Sequence, residues 1–189
     1  MGKFNFIDTG IEGMFVVEPT VFEDNRGYFM ETYQENEFKE AGHDLTFVQD
    51  NQSKSTKGVL RGLHLQINYP QGKLVRVIKG EVFDVGVDLR ADSPTYGKWY
   101  GEILSDENKK QLYIPPKFAH GFLVLSDEAE FVYKCTEFYH GEDESGIKYL
   151  SNGNRLMAKS FTVRAEEGQS DSSFDKINSS ELFRVYNDL

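Results

Sequence analysis

The chain has 189 residues, 39% of them hydrophobic and 28% charged, which suits one globular domain with a core of its own. Its net charge of −10 repels phosphate polymers and argues against a nucleic-acid binder, although a local Arg/Lys cluster can still reverse the field for one small phosphorylated ligand. The single cysteine, Cys135, excludes an intramolecular disulfide and a cysteine metal site, and the lack of a secretory core or a membrane-length apolar run leads us to expect a cytoplasmic protein.

Aromatic residues reach 14%, and with many Val and few Ala they favour strands. Met14–Glu18 reads as a strand closed by Pro19. Asp24-Asn25-Arg26-Gly27 signals a turn, followed by a strand-like Tyr28–Tyr33. Gln34–Ala41 predicts a short helix stopped by Gly42. Thr46–Gln49 and Val59–Gln66 read as extended. Lys73–Ile78 and Glu81–Leu89 are stronger strands, with Lys79-Gly80 between them as a hairpin turn. In the second of these, Phe83, Val85, Val87 and Leu89 share one face, and Asp84, Gly86 and Asp88 the other. Lys98–Ser105, Gln111–Ile114, Gly121–Ser126 and Glu130–Phe138 complete the strands. Many short strands with almost no helical period predict an all-β sandwich or barrel. After Tyr149 the composition turns polar, so we divide the chain into a domain over 1–149 and a tail over 150–189 expected to be partly disordered.

Two histidines stand out. His64 lies in Leu60-Arg61-Gly62-Leu63-His64, and His120 follows Ile114-Pro115-Pro116-Lys117-Phe118-Ala119. Each reads either as a hydrogen-bonded core group or as a pocket residue. Arg61 and His64 have opposite strand parity, and a bulge near Gly62 would turn both toward one cavity. Metal-binding cupins place two histidines one residue apart with a glutamate soon after; here Leu65 and Gln66 follow His64, so no metal is expected. General acid–base chemistry remains. An imidazole can accept a proton near neutral pH, the Tyr133 phenol can donate one, and Lys73, facing a carbonyl, would stabilise an enolate oxygen. Taken singly, Tyr133 reads equally as a core or rim aromatic, and Lys73 as a solvated charge.

Several segments together carry a resemblance. They are Glu23-Asp24-Asn25-Arg26-Gly27-Tyr28-Phe29-Met30-Glu31, Phe47-Val48-Gln49-Asp50-Asn51 and Val59-Leu60-Arg61-Gly62-Leu63-His64-Leu65-Gln66. Gln71-Gly72-Lys73-Leu74-Val75-Arg76, Gly80-Glu81-Val82-Phe83-Asp84-Val85, Phe118-Ala119-His120-Gly121-Phe122 and Phe131-Val132-Tyr133-Lys134-Cys135-Thr136 follow. In this order, over roughly residues 4–149, the chain resembles the dTDP-4-dehydrorhamnose 3,5-epimerase family. The resemblance implies a cupin-type jelly-roll β-barrel with short peripheral helices and without metal or cofactor. It also implies a homodimer that exchanges its first strands, and a dTDP-linked 4-keto-6-deoxyhexose as substrate. It assigns His64 as the base, Lys73 to the enolate oxygen and Tyr133 as the acid on the opposite face. Arg26 and Arg61 would meet the diphosphate or sugar, and Glu31, Gln49 and Asn51 the nucleotide and sugar. His120 would be a second pocket histidine, Phe29 and Tyr139 aromatics near base or sugar, and Glu144 a late substrate-contacting acid. Asp84 would be a buried carboxylate orienting a pocket histidine.

The tail departs from the family pattern. Where members carry Asn-Asp-Pro…Trp-Pro, this chain has Leu150-Ser151-Asn152-Gly153-Asn154, and its one tryptophan is Trp99. The late motif whose aspartate pairs with the catalytic histidine is missing, leaving Asp171 and Asp175 as candidates by position and Asp84 as a substitute. The departure keeps two further readings open: a single-position epimerase or ketoisomerase, and an inactive barrel that binds a sugar nucleotide.

Overall fold

Short runs of β-branched and aromatic residues, broken by glycine and proline, build two antiparallel sheets that face each other. The computed structural model describes residues 2–147 and the strand residues 163–164. In chain order come β1 (Phe4–Asp8), β2 (Phe15–Pro19), β3 (Phe22–Asp24), β4 (Gly27–Phe29), the helix α1 (Glu35–Glu40), β5 (Gln49–Thr56), β6 (Leu60–Gln66) and β7 (Lys73–Lys79). They are followed by β8 (Glu81–Asp88), β9 (Trp99–Ser105), β10 (Gln111–Ile114), β11 (Phe118–Val124), β12 (Glu128–Cys135), a 3₁₀ turn (Gly141–Asp143), β13 (Glu144–Ile147) and β14 (Val163–Arg164). The first sheet has the order β1-β2-β10-β7-β12-β5 and the second β14-β13-β6-β11-β8-β9. From β5 to β8 the chain crosses between sheets at every strand, as in a jelly roll, and the all-β cupin-type architecture expected from the sequence is the one observed.

The main core fills the space between the sheets. Val16, Val75, Val77, Leu112, Ile114 and Phe131 of the first sheet meet Val82, Leu104, Phe118, Phe122 and Val124 of the second. Each such side chain contributes about 1.5–3 kcal/mol on burial. Phe83, Val85 and Val87 form a second cluster with Leu63 and Leu65 on the outer face of the second sheet, so the parity read from the sequence of β8 holds. The helix begins where Gln34 Oε1 accepts from the Glu37 amide at 2.7 Å. Its buried Phe38 packs with Phe4, Phe15 and Val17, and Gly42 ends it at φ +92°.

Three expectations change. Lys79-Gly80 is not a hairpin turn, because β7 and β8 lie in different sheets and do not pair. It is a corner: Gly80 adopts φ +78°, and a Cβ there would stand 2.1 Å from the Glu128 carbonyl oxygen. The extended segment assigned to Thr46–Gln49 is the approach to a longer strand, Gln49–Thr56. Its sequence, Gln-Asp-Asn-Gln-Ser-Lys-Ser-Thr, has no apolar alternation, so periodicity passes over it. The strand expected over Tyr28–Tyr33 ends at Phe29 and forms, with β3, a separate two-stranded ribbon. Of the tail over 150–189, the described residues are 163–164, which pair with Gly146 and Ile147. Asp171 and Asp175 lie outside the described residues.

Candidate active site

One end of the space between the sheets is polar, and register shows how. In an antiparallel pair, residues directly opposite share a face. His120 faces His64, and Phe122 faces Arg61. Phe122 belongs to the inner core, so all four point inward. Between these pairs Gly62 and Leu63 stand against the single Gly121, a bulge in β6. Cβ atoms at Gly62 and Gly121 would come within 2.4 and 2.5 Å of backbone oxygens, so only glycines allow this approach. The bulge brings Arg61 and His64, three residues apart, onto one face, as expected from their sequence.

The other walls follow in the same way. On β12, Phe131 is part of the inner core, so Tyr133 and Cys135 also face inward; they stand opposite Asn51 and Gln49 of β5. Cys135 is also opposite Lys73, the first residue of β7. Glu144 of β13 is opposite Gln66, on the His64 face of β6.

His120 and Asp84 are both buried, and His120 Nε2 lies 2.9 and 3.1 Å from the two oxygens of Asp84. The carboxylate expected to orient a pocket histidine therefore serves His120 and not His64. The two imidazole centroids are 6.3 Å apart. The carboxylate beside His64 is Glu144, with Oε1 at 3.7 Å from Nε2; the His64 side chain remains 34% exposed. Burial, followed by the charges of Lys73, His120 and Arg61, holds the His64 pKa well below the ordinary imidazole value. At neutral pH it is an uncharged base.

Lys73 is buried, and its ammonium makes no hydrogen bond or ion pair to another described residue. Burial lowers its pKa, opposed by Cys135, Glu144 and Asp84. Burial raises that of Tyr133, with Cys135 and Glu144 adding to the rise, and Arg61 and a hydrogen bond from Asn51 opposing it. Tyr133 thus keeps its proton. A hydrogen-bonded chain runs round the rim: Tyr139 Oη donates to Glu144 Oε2 at 2.9 Å, and the Tyr139 amide donates to Gln49 Oε1 at 3.0 Å. Gln49 Nε2 then donates to Asn51 Oδ1 at 3.0 Å. Arg61 Nε reaches across to Ser55 Oγ on β5 at 2.9 Å, tying the two sheets together at this end.

A basic, neutral imidazole, a protonated phenol and an ammonium unpaired among the described residues, in one cavity, suit proton transfer next to a carbonyl. Comparison with known proteins gives the family. The family model described as dTDP-4-dehydrorhamnose 3,5-epimerase matches residues 8–168. The chain belongs to the dTDP-4-dehydrorhamnose 3,5-epimerase family, a family of isomerases. A dTDP-4-dehydrorhamnose 3,5-epimerase from Methanothermobacter thermautotrophicus is 59% identical over 149 residues, covering 79% of this chain and 80% of its own length. The crystal structure of a 3,5-epimerase from Legionella pneumophila, in complex with dTDP-4-keto-L-rhamnose, is 46% identical with TM-score 0.78, covering 94% of this chain and 96% of that one. A 3'-monoepimerase from Streptomyces bikiniensis, in complex with dTDP-quinovose, is 29% identical with TM-score 0.74, covering 95% and 90%.

Of the residues that the family resemblance singled out, the fold brings His64, Lys73, Tyr133, Arg61, His120, Asp84, Gln49, Asn51, Tyr139 and Glu144 to this end of the molecule. Arg26, Phe29 and Glu31 are not among them within one chain. Arg26 is bound to Asp24 at 2.6 Å with its side chain 85% exposed, and Phe29 is exposed on the β3–β4 ribbon. Glu31 pairs with Lys3, while its buried Oε2 has no hydrogen-bond partner among the described residues. Sequence reasoning missed Cys135, which was weighed only as a disulfide or metal residue. It lies buried beside Lys73, with Asn51 Nδ2 at 3.5 Å from its sulfur. Its position two residues after Tyr133 on one strand was the available signal.

Proposed function

We propose that the protein epimerises dTDP-4-dehydro-6-deoxy-D-glucose at C3 and C5, giving dTDP-4-dehydro-L-rhamnose. The C4 carbonyl acidifies both neighbouring carbons. His64 removes a proton from one of them, and the electron pair moves onto the carbonyl oxygen as an enolate, which the Lys73 ammonium stabilises. Tyr133 returns a proton from the opposite face, inverting the carbon, and both groups re-equilibrate with water before the second carbon reacts. The observation that carries this reading is Lys73: a buried cation without a partner among the described residues is positioned for an anion that forms during the reaction, and it adds to burial in keeping His64 in its basic form. Arg61 suits the diphosphate, with Gln49, Asn51, Tyr139, His120 and Glu144 around the nucleotide and sugar.

The protein acts, on this proposal, as a cytoplasmic homodimer. β1 and β2 complete the chain's own first sheet, whereas the β3–β4 ribbon pairs with no other described strand and exposes Phe22, Tyr28 and Phe29. The ribbon is the exchanged part, delivering Arg26 and Phe29 to the partner's cavity, with Glu31 just past its end.

The test is turnover in deuterium oxide. Deuterium should enter the sugar at both C3 and C5, and His64→Ala should lower exchange by about 10³-fold while leaving dTDP affinity within about threefold. Protium retained at both carbons under saturating substrate overturns the proposal. The likeness to a 3'-monoepimerase supports a second reading, a single-position epimerase, which exchange at one carbon alone would select.

A further inference from the structure

We propose that Glu144 is the carboxylate that supports His64, a positioning residue that stabilises the imidazolium formed when the base takes its proton. The inference rests on His64 being the base of the reaction proposed above.

A proton arriving at Nε2 creates a cation in cationic surroundings. Lys73 faces His64 from β7, Arg61 from its own strand β6, and His120 from β11. Asp84 of β8 has both oxygens at His120 and is not available. Tyr133 and Cys135 face the cavity from β12, and burial holds both toward their neutral forms. Among the described residues, Glu144 of β13 is the carboxylate that pairs with His64, and the pair is made at Nε2 with a separation of 3.7 Å.

Glu144 is also held in place. Its other oxygen accepts from the Tyr139 hydroxyl at 2.9 Å, and the Tyr139 amide is anchored to Gln49 at 3.0 Å. Pairing of β13 with β6 sets its side chain on the His64 face. A carboxylate held this way lowers the cost of charging the imidazole without blocking the nitrogen by a direct hydrogen bond. Both side chains are about one-third exposed, 34% and 37%, so screening limits the effect. The expected shift is about one pKa unit.

The test uses the full-length protein and its Glu144→Gln and Glu144→Asp variants. The His64 ring proton is assigned by its loss in His64→Ala, and its titration is followed by NMR. In Glu144→Gln the midpoint should fall by about one unit, and the acid limb of kcat/KM should move down by the same amount with a plateau about tenfold lower. Glu144→Asp should restore most of the shift. An unmoved titration and an unmoved acid limb, with only KM raised, overturn the inference and leave Glu144 as a substrate contact. Titration needs no turnover, so a wild-type protein without deuterium exchange counts against the reaction alone.

Discussion

His64 and His120 face each other across one strand pair, yet their surroundings set them to different tasks. His120 is locked by both oxygens of Asp84 in full burial, whereas His64 meets cations, one carboxylate at 3.7 Å and an opening to solvent. Residue type alone does not separate the two; the neighbours do. Asp88, two residues past Gly86 on the same inward face as Asp84, shows a third outcome for a buried acid. Burial alone would raise its pKa, but hydrogen bonds from the Arg90 side chain and amide, Ser93 and Thr95 prevail and hold it well below the usual carboxylate range. A carboxylate depressed in the folded state stabilises fully above its unfolded pKa of about 4 and loses that contribution as pH falls toward the folded value. Asp88→Asn should therefore cost about 2–4 kcal/mol at pH 7, and the gap to wild type should narrow below about pH 4. Urea unfolding across pH checks this; a gap that is constant with pH would show that shape, not charge, is what Asp88 supplies.

The elements that matter most for the site are those that break regularity. A regular β6 would send Arg61 and His64 to opposite faces, and the two-for-one bulge against Gly121 is what unites them. Gly121→Ala would bring a Cβ to 2.5 Å from the Arg61 carbonyl oxygen, and the backbone there cannot yield cheaply. We expect a loss of about 1–3 kcal/mol, read as a fall of about 2–12 °C in Tm, together with a raised KM as Arg61 shifts. An unchanged KM would mean that Arg61 does not depend on the bulge. β5 makes the opposite point. Its inner residues Gln49 and Asn51 are polar because they line the cavity, and its outer face is largely open to water. A polar cavity lining hides the hydrophobic signature by which strands are recognised, so periodicity passes over this strand. The β7–β8 corner was misread for a related reason: a glycine between two strands marks a turn, but not whether the strands on either side belong to one sheet.

At the scale of the whole molecule, a chain of net charge −10 gathers Lys73 and Arg61 at the cavity beside the carboxylates of Asp84 and Glu144, so these two cations are the groups there that suit an anionic ligand. The exposed β3–β4 ribbon gives the proposed dimer a direct test. If the ribbon of one protomer completes the other's cavity, His64→Ala and Arg26→Ala chains, each impaired alone, should complement when unfolded together and refolded. Random pairing gives half heterodimers, each with one intact cavity, and thus recovery to about a quarter of wild-type activity. No recovery beyond the average of the two variants would place Arg26 in its own chain's site or in none.

Much of this protein was written along the chain: the all-β class, the inward and outward faces of β8, the short capped helix, and the motifs carrying His64, Lys73 and Tyr133. These follow from local propensity and from side-chain periods that neighbouring residues determine. Which carboxylate stands beside which histidine, which sheet receives each strand, and that Arg26 lies outside its own chain's cavity were decided only by tertiary structure. Those outcomes depend on distances between residues far apart in sequence, such as Asp84 and His120 or His64 and Glu144, and no local pattern encodes them.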